Sequence, residues 1–227
     1  MKHKFSSLLL GFMCFSGTIV KSQDTTAKIL KDTDHEKMVW FKEAKLGIFI
    51  HWGLYAVDGI SESWSFYNEY LSHEDYLKQL SGFTAANFKP KEWAKLIKDS
   101  GAKYSVITSK HHDGFALWNT NYGHLNAVSH AAAKKDVLSP LIDALKEKEL
   151  KVGIYFSLPD WSSDLYTHFT TSKSRYAIEQ DPQRWQQYLN YMNGQLLELK
   201  NNYTPDLWWF DGDWEHPPEA WESTKIR

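Results

Sequence analysis

Short apolar runs alternate with amphipathic stretches along most of the chain. Residues 23–37 are polar and charged without periodicity and read as a linker. Leu46-Gly47-Ile48-Phe49-Ile50-His51-Trp52 then forms an apolar run with a polar end, which predicts a parallel strand buried on both faces. The stretch from about Gly53 to Phe88 is aromatic and irregular, and a segment of that length is usually functional or partly helical. Pro90 opens a helix with Trp93, Leu96 and Ile97 on one face, closed by Gly101. Tyr104–Thr108 is the second strand and runs into Ser109-Lys110-His111-His112-Asp113-Gly114. Ser139-Pro140 supplies an N-cap and a first-turn proline for a helix with Leu138, Leu141 and Leu145 facing inward. Val152–Phe156 is the third strand, ending near Pro159-Asp160-Trp161. Asp181-Pro182 starts a long helix whose stripe is Trp185, Tyr188, Leu189, Met192, Leu196 and Leu199. Leu207–Phe210 is the fourth strand, with Asp211-Gly212-Asp213-Trp214 as its exit loop.

Strands alternating with helices imply an α/β fold, a parallel sheet covered by helices. A (β/α)8 TIM-like barrel is preferred over an open doubly wound sheet. The reason is that polar and aromatic residues gather at every strand's carboxyl end: His51-Trp52, His111-His112-Asp113, Ser157 to Trp161, and Asp211. No glycine-rich phosphate loop follows the first strand. Only four strand–helix units are legible, so residues 38–227 are expected to hold about the first half of a catalytic barrel. Half a barrel leaves sheet edges and an apolar face open, and this chain alone is expected to be poorly soluble or inactive.

The N-terminus has another pattern. Lys2, His3 and Lys4 precede an apolar run from Phe5 to Val20, which reads as a signal peptide over 1–22 with cleavage before Gln23. The run is too short to anchor a spanning helix. Cys14, the only cysteine, lies inside it, so the mature chain would have neither disulfides nor a thiol nucleophile. Export without disulfides suggests a periplasmic or secreted enzyme of a bacterial envelope.

Composition adds two constraints. A net charge of -2 and a pI near 6.5 argue against nucleic acid or an anionic membrane as partner. The chain also carries 11 Trp, 12 Tyr and 12 Phe; composition favours the core for most of these rings, and the tryptophan excess at chain turns also fits a site that stacks on the C–H faces of sugars.

The candidate chemistry lies at the strand ends. Asp211 sits where an apolar strand meets solvent among Trp208, Trp209 and Trp214. It is either a nucleophilic carboxylate or the capping residue of an Asp-Gly turn. Asp213 and Glu215 are acids of the same loop, read as solvated or supporting. In an extended segment His111 and His112 would point to opposite faces, so the pair would not grip one ion, and neutral imidazoles bonding sugar hydroxyls fit better. His51 belongs to the same reading. No Gly-x-Ser-x-Gly elbow occurs, which leaves carboxylate chemistry among rings and histidines.

Four segments occur in order: Leu46–Gly53, Ser109–Phe115, Gly153–Ser157 and Trp209–Gly212. Together they resemble the α-L-fucosidases of glycoside hydrolase family 29, over about Trp40 to Trp214. The resemblance implies a retaining exo-hydrolase acting on terminal α-L-fucosides of a glycan or oligosaccharide, with Asp211 as nucleophile. His51, His111 and His112 would bind fucose hydroxyls. Tyr155 and Trp209 match family positions, and Trp64 would wall the pocket. Where many relatives have Glu-Trp this chain has Glu62-Ser63-Trp64, so Glu62 is left out of the expected site, and Phe156 stands where many have a second tyrosine. The family's acid/base carboxyl lies well downstream of the nucleophile, and neither Glu215 nor Glu222 matches it. No metal or organic cofactor is expected. The alternatives are a glycosidase of another sugar preference and an inactive carbohydrate-binding fragment. Oligomeric state, linkage and natural glycan carry no sequence signal.

Overall fold

The computed structural model of the protein describes residues 38–226. The expected signal peptide (1–22), the linker (23–37) and Cys14 lie outside the described residues. The chain divides into two compact units, residues 1–43 and 44–227. In the first, the described residues 38–43 are helical.

The second unit is built on a parallel sheet. Its strands are β1 (Gly47–Ile50), β2 (Tyr104–Lys110), β3 (Lys151–Ser157) and, after an antiparallel hairpin of β4 (His168–Thr170) and β5 (Lys173–Ser174), β6 (Leu207–Asp211). The order β1-β2-β3-β6 follows the chain. The central strands behave as the sequence predicts: Ser105–Lys110 and Val152–Ser157 are buried throughout, as strands covered on both faces must be. The outer strands do not. Phe49 of β1 is 40% exposed and Trp209 of β6 is 47% exposed, because among the described residues each has a neighbouring strand on one side only. The β4–β5 hairpin carries no apolar alternation and was not foreseen.

The irregular stretch after β1 folds as 3₁₀ turns at Leu54–Ala56 and Lys78–Ser81 around α1 (Trp64–Tyr67) and α2 (His73–Leu77). Ser72 caps α2, its hydroxyl accepting from Asp75 N at 3.0 Å. Helix α3 (Pro90–Asp99) starts at the expected proline, but its inner face is Trp93, Ala94 and Ile97; Leu96 is exposed. At 100° per residue Leu96 falls outside the arc that Ala94 and Ile97 share, and the small Ala94 lets the helix approach closely. Helix α4 (Ser139–Glu147) buries Leu138, Leu141 and Leu145 as expected, while its cap differs. Ser139 is already helical, and Asp136 receives Leu138 N at 2.8 Å, Ser139 N at 2.9 Å and the Ser139 hydroxyl at 2.7 Å. Helix α5 (Pro182–Tyr203) is capped by Asp181, which accepts from Arg184 N at 3.0 Å, and its predicted stripe is buried along its length. A last turn, α6, spans Ser223–Ile226. No described helix is long and apolar enough to cross a membrane.

One irregularity aims the site. The β2–β3 register slips between Thr108 and Lys110, leaving Ser109 as a bulge residue whose hydroxyl donates to Tyr155 O at 2.7 Å. A bulge re-aims the side chains beyond it, here the histidine pair.

The Asp136 cap gives a stability test. Asp136→Ala removes three acceptor contacts at the start of α4, and urea unfolding is expected to show a loss of about 1–2 kcal/mol.

Candidate active site

The parallel register brings the ends of β2, β3 and β6 side by side, while β1 ends lower, its Ile50 pairing with Ile107. Ser157 pairs with Asp211, and Tyr155 with Trp209. Asp211 closes β6, and Gly212 after it has φ +77, where a side chain would also meet the Pro159 ring at 2.3 Å. Glycine is therefore required there, and the turn holds the Asp211 carboxylate at the sheet's carboxyl edge. Its Oδ2 accepts from the Tyr155 hydroxyl, its Oδ1 from Gly212 N at 2.9 Å, and His112 Nε2 stands 3.7 Å from Oδ2.

His112 is held in one tautomer. The Ser157 hydroxyl has a single proton and donates it to Pro159 O at 2.7 Å, so it accepts from His112 Nδ1–H. The buried Nε2 is then an acceptor and has no hydrogen-bond partner. Burial, with Lys110 and His51 nearby, pushes the His112 pKa down to about 3. Burial also drives His111 well below the usual imidazole range.

His111 and His51 point at one carboxylate. His51 Nε2 is 3.6 Å from Glu62 Oε1, and His111 Nε2 is 3.7 Å from Glu62 Oε2. Each ring's other nitrogen meets a hydroxyl: His51 Nδ1 that of Tyr55, His111 Nδ1 that of Ser63 at 2.6 Å. Glu62 is thus a site residue that sequence reasoning left out. The extra Ser63 is absorbed because Glu62 adopts a left-handed backbone, φ +53, which lets both Glu62 and Trp64 face the site. The expectation that adjacent histidines diverge is also corrected. His111 and His112 follow the strand in a turn, where strand alternation no longer applies, and their rings lie 4.4 Å apart. Among the described residues, two groups of side chains could hold a metal ion, His51, Glu62 and His111, and His111, His112 and Asp211, with the ligand atoms of each group within 4.8 Å of one another.

Aromatic rings wall the cluster. Trp64 packs edge-on to His112 at 5.6 Å and to Trp161 at 4.9 Å, and Trp161 lies 4.4 Å from His112 and stacks on Tyr67 at 3.7 Å. On the other side Phe49 meets Trp209 at 5.3 Å and Tyr155 at 6.0 Å. All seven predicted residues, His51, Trp64, His111, His112, Tyr155, Trp209 and Asp211, therefore share one region. The sequence reading placed Ser157 to Trp161 at a strand's carboxyl end without giving Ser157 or Trp161 a role, and it missed Ser63 and Tyr55, whose loop positions carry no periodic signal. Glu215, expected to be solvated or supporting, is supporting. Its side chain is 10% exposed and accepts from Trp161 Nε1 at 2.9 Å and Tyr166 Oη at 2.5 Å, and burial raises its pKa. Asp213 is exposed, and Glu222 pairs with Lys225 at 2.7 Å.

Fold and site together define an α/β protein that gathers carboxylates, neutral imidazoles and indoles at the carboxyl ends of parallel strands. The α-L-fucosidase family profile matches residues 13–227. The chain belongs to that family. It is 33% identical over 204 residues to the tissue α-L-fucosidase of Macaca fascicularis, covering 82% of this chain and 42% of that protein. Plasma α-L-fucosidase of Homo sapiens is 34% identical over 205 residues, with 82% and 41% covered. Among solved structures, α-L-fucosidase isoenzyme 1 from Paenibacillus thiaminolyticus superposes with a TM-score of 0.75 at 34% identity, covering 85% of this chain and 47% of that one. A family 29 α-L-fucosidase from Bacteroides thetaiotaomicron, trapped as a covalent intermediate with 2-fluoro-fucosyl fluoride, superposes at 0.68 with 33% identity, over 79% and 42%. The chain thus spans under half the length of these relatives.

Beside Glu215, burial and neighbouring His168 push His216 down to about 4. The folded chain keeps this ring neutral while the unfolded chain protonates it near 6.5, so folding stability falls as pH drops from about 6.5 toward 4. Urea unfolding at pH 7 and 4.5 should show a smaller loss in His216→Asn than in wild type; an equal loss would place the effect elsewhere.

Proposed function

We propose that this chain carries the nucleophile half of a retaining exo-α-L-fucosidase acting on terminal fucosides of glycans or oligosaccharides. The observation that supports this most strongly is the setting of Asp211. One oxygen is oriented by the Tyr155 hydroxyl and the other by the following amide, at the open end of a sheet lined by neutral imidazoles. In a retaining mechanism such a carboxylate attacks the anomeric carbon through an oxocarbenium-like transition state and forms a glycosyl ester. The Tyr155 hydroxyl donates to one carboxylate oxygen, and the attack uses the electron pair of the carboxylate.

His112 Nε2 supports a hydroxyl-bearing ligand. It is a buried acceptor without a partner, 3.7 Å from a second acceptor on Asp211. A sugar hydroxyl donating to Nε2 satisfies it and relieves the two facing lone pairs. His51 and His111, with Glu62, offer further acceptors and donors for hydroxyls, while Trp64 and Trp209 offer flat faces for C–H groups. No step in this reading uses a metal or an organic cofactor.

A retaining glycosidase needs a second carboxyl group roughly 5 Å from the nucleophile. Glu215 is engaged by Trp161 and Tyr166. We assign the acid/base to the part of the family's length that this chain does not span. The consecutive strand order β1-β2-β3-β6 favours continuation into a (β/α) barrel over a doubly wound sheet, whose order reverses. Residues 1–22 are read as an export signal, which places the enzyme in the periplasm or medium.

The test uses 2-fluoro-fucosyl fluoride, whose fluoride departs without a proton donor. Incubation with the chain, then proteolysis and mass spectrometry, is expected to find the sugar on the Asp211 peptide and none in Asp211→Ala. Label on another residue, or equal labelling by the corresponding galactosyl reagent, would refute the assignment of nucleophile or sugar respectively.

A further inference from the structure

We propose that His51, Glu62 and His111 form a binding site for a borderline divalent transition ion such as Zn²⁺, occupying the place assigned above to fucose hydroxyls. The donor set is two imidazole nitrogens and one carboxylate, a composition that selects zinc-like ions over magnesium or calcium. Tetrahedral zinc with bonds of ~2.0–2.1 Å separates its ligand atoms by ~3.3 Å. Here the carboxylate oxygens stand 3.6 Å from His51 Nε2 and 3.7 Å from His111 Nε2, and the three ligand atoms lie within 4.8 Å of one another. Each histidine faces a different oxygen of the one carboxylate, and drawing the three groups together brings them onto one ion.

Three further observations fit the same chemistry. Both rings present Nε2 inward because their Nδ1 atoms are engaged by Tyr55 and Ser63 hydroxyls, the outer hydrogen bonding that orients ligating histidines. Glu62 holds a left-handed backbone, φ +53, a conformation that non-glycine residues rarely adopt, and its carboxylate lies between the two rings. His51 and Glu62 side chains are 33% and 36% exposed, which gives an ion a path in, while His111 forms the buried floor. The second donor group, His111 with His112 and Asp211, is the poorer choice, since the Tyr155 hydroxyl already occupies an Asp211 oxygen. The three ligands leave a fourth position open for water. The ion withdraws the acceptors that a sugar would use, so it competes with fucose and acts as an inhibitor.

The metal site stands on geometry alone; the competition rests on the fucosidase reading. Calorimetry with zinc chloride on the full chain is expected to show one equivalent bound in the micromolar range. Co²⁺ is expected to give the visible bands of a four- or five-coordinate ion. His51→Ala, at a partly exposed position, and Glu62→Gln should each weaken binding at least tenfold, whereas His168→Ala should not. Zinc binding that persists unchanged in both ligand variants, or none tighter than millimolar in wild type, overturns the proposal. Added L-fucose should displace Co²⁺. Cobalt bound through His51 and Glu62 but indifferent to fucose would leave the metal site standing and refute the placement of the sugar. Fucose binding without any metal binding would do the reverse.

Discussion

The loops that carry this site depend on one buried carboxylate. Asp160 Oδ1 accepts from Ser162 N and Ser163 N, each at 3.0 Å, and Oδ2 accepts from the Tyr191 hydroxyl at 2.6 Å. Gly114 presses against it so closely that a side chain there would meet Oδ1 at 2.5 Å, in a backbone with φ +75. The next residue, Trp161, donates its amide to His112 O at 2.7 Å. The loop after β2, the loop after β3 and helix α5 are thereby tied at one point. A buried charge needs a compensating field, and Lys110 supplies it. Its fully buried ammonium lies 4.4 Å above the Phe156 ring and has no hydrogen-bond partner, and burial lowers its pKa to about 8 against the pull of Asp160 and Asp113. Asp113, equally buried and held by Tyr76 and Phe115 N, is pushed up to about 6. The histidine loop thus rests on an ionic floor in which desolvation opposes the charges of Lys110 and Asp113 and their mutual attraction partly offsets it.

The sequence made the strands and long helices legible where periodicity is set by burial on a regular surface. The stripe of α5 and the apolar runs of β2 and β3 are of that kind. It misjudged the positions set by what lies beside an element, such as Leu96 on α3 and Phe49 on an outer strand, because periodicity does not say which neighbours are present. The site divided in the same way. Asp211 and the histidines stand at strand ends and were found. Ser157 and Trp161 were placed at a strand end but given no role, because they act through contacts with His112, distant in sequence, which leave no local pattern. Glu62 was passed over because Ser63 breaks the expected Glu-Trp spacing. A left-handed turn restores the geometry that the spacing had seemed to forbid.

Neutral imidazoles follow from the contest between desolvation and attraction. At 3.7 Å an imidazolium and the Asp211 carboxylate would attract by about 4 kcal/mol at an effective dielectric of 20. Burial nevertheless dominates and holds His112 down at about 3, with the Lys110 ammonium as the next cause and His51 after it. The outcome matters for chemistry. A charged His112 would pair with Asp211 and draw electron density from the oxygen that must attack carbon. A neutral one leaves the carboxylate with the Tyr155 hydroxyl and the Gly212 amide as its donors. It also turns Nε2 into an acceptor, suited to a hydroxyl and unsuited to an anion. Burial, with the Lys110 ammonium as a lesser cause, thus keeps His111 and His112 uncharged. That favours a neutral polyhydroxylated ligand over a charged one.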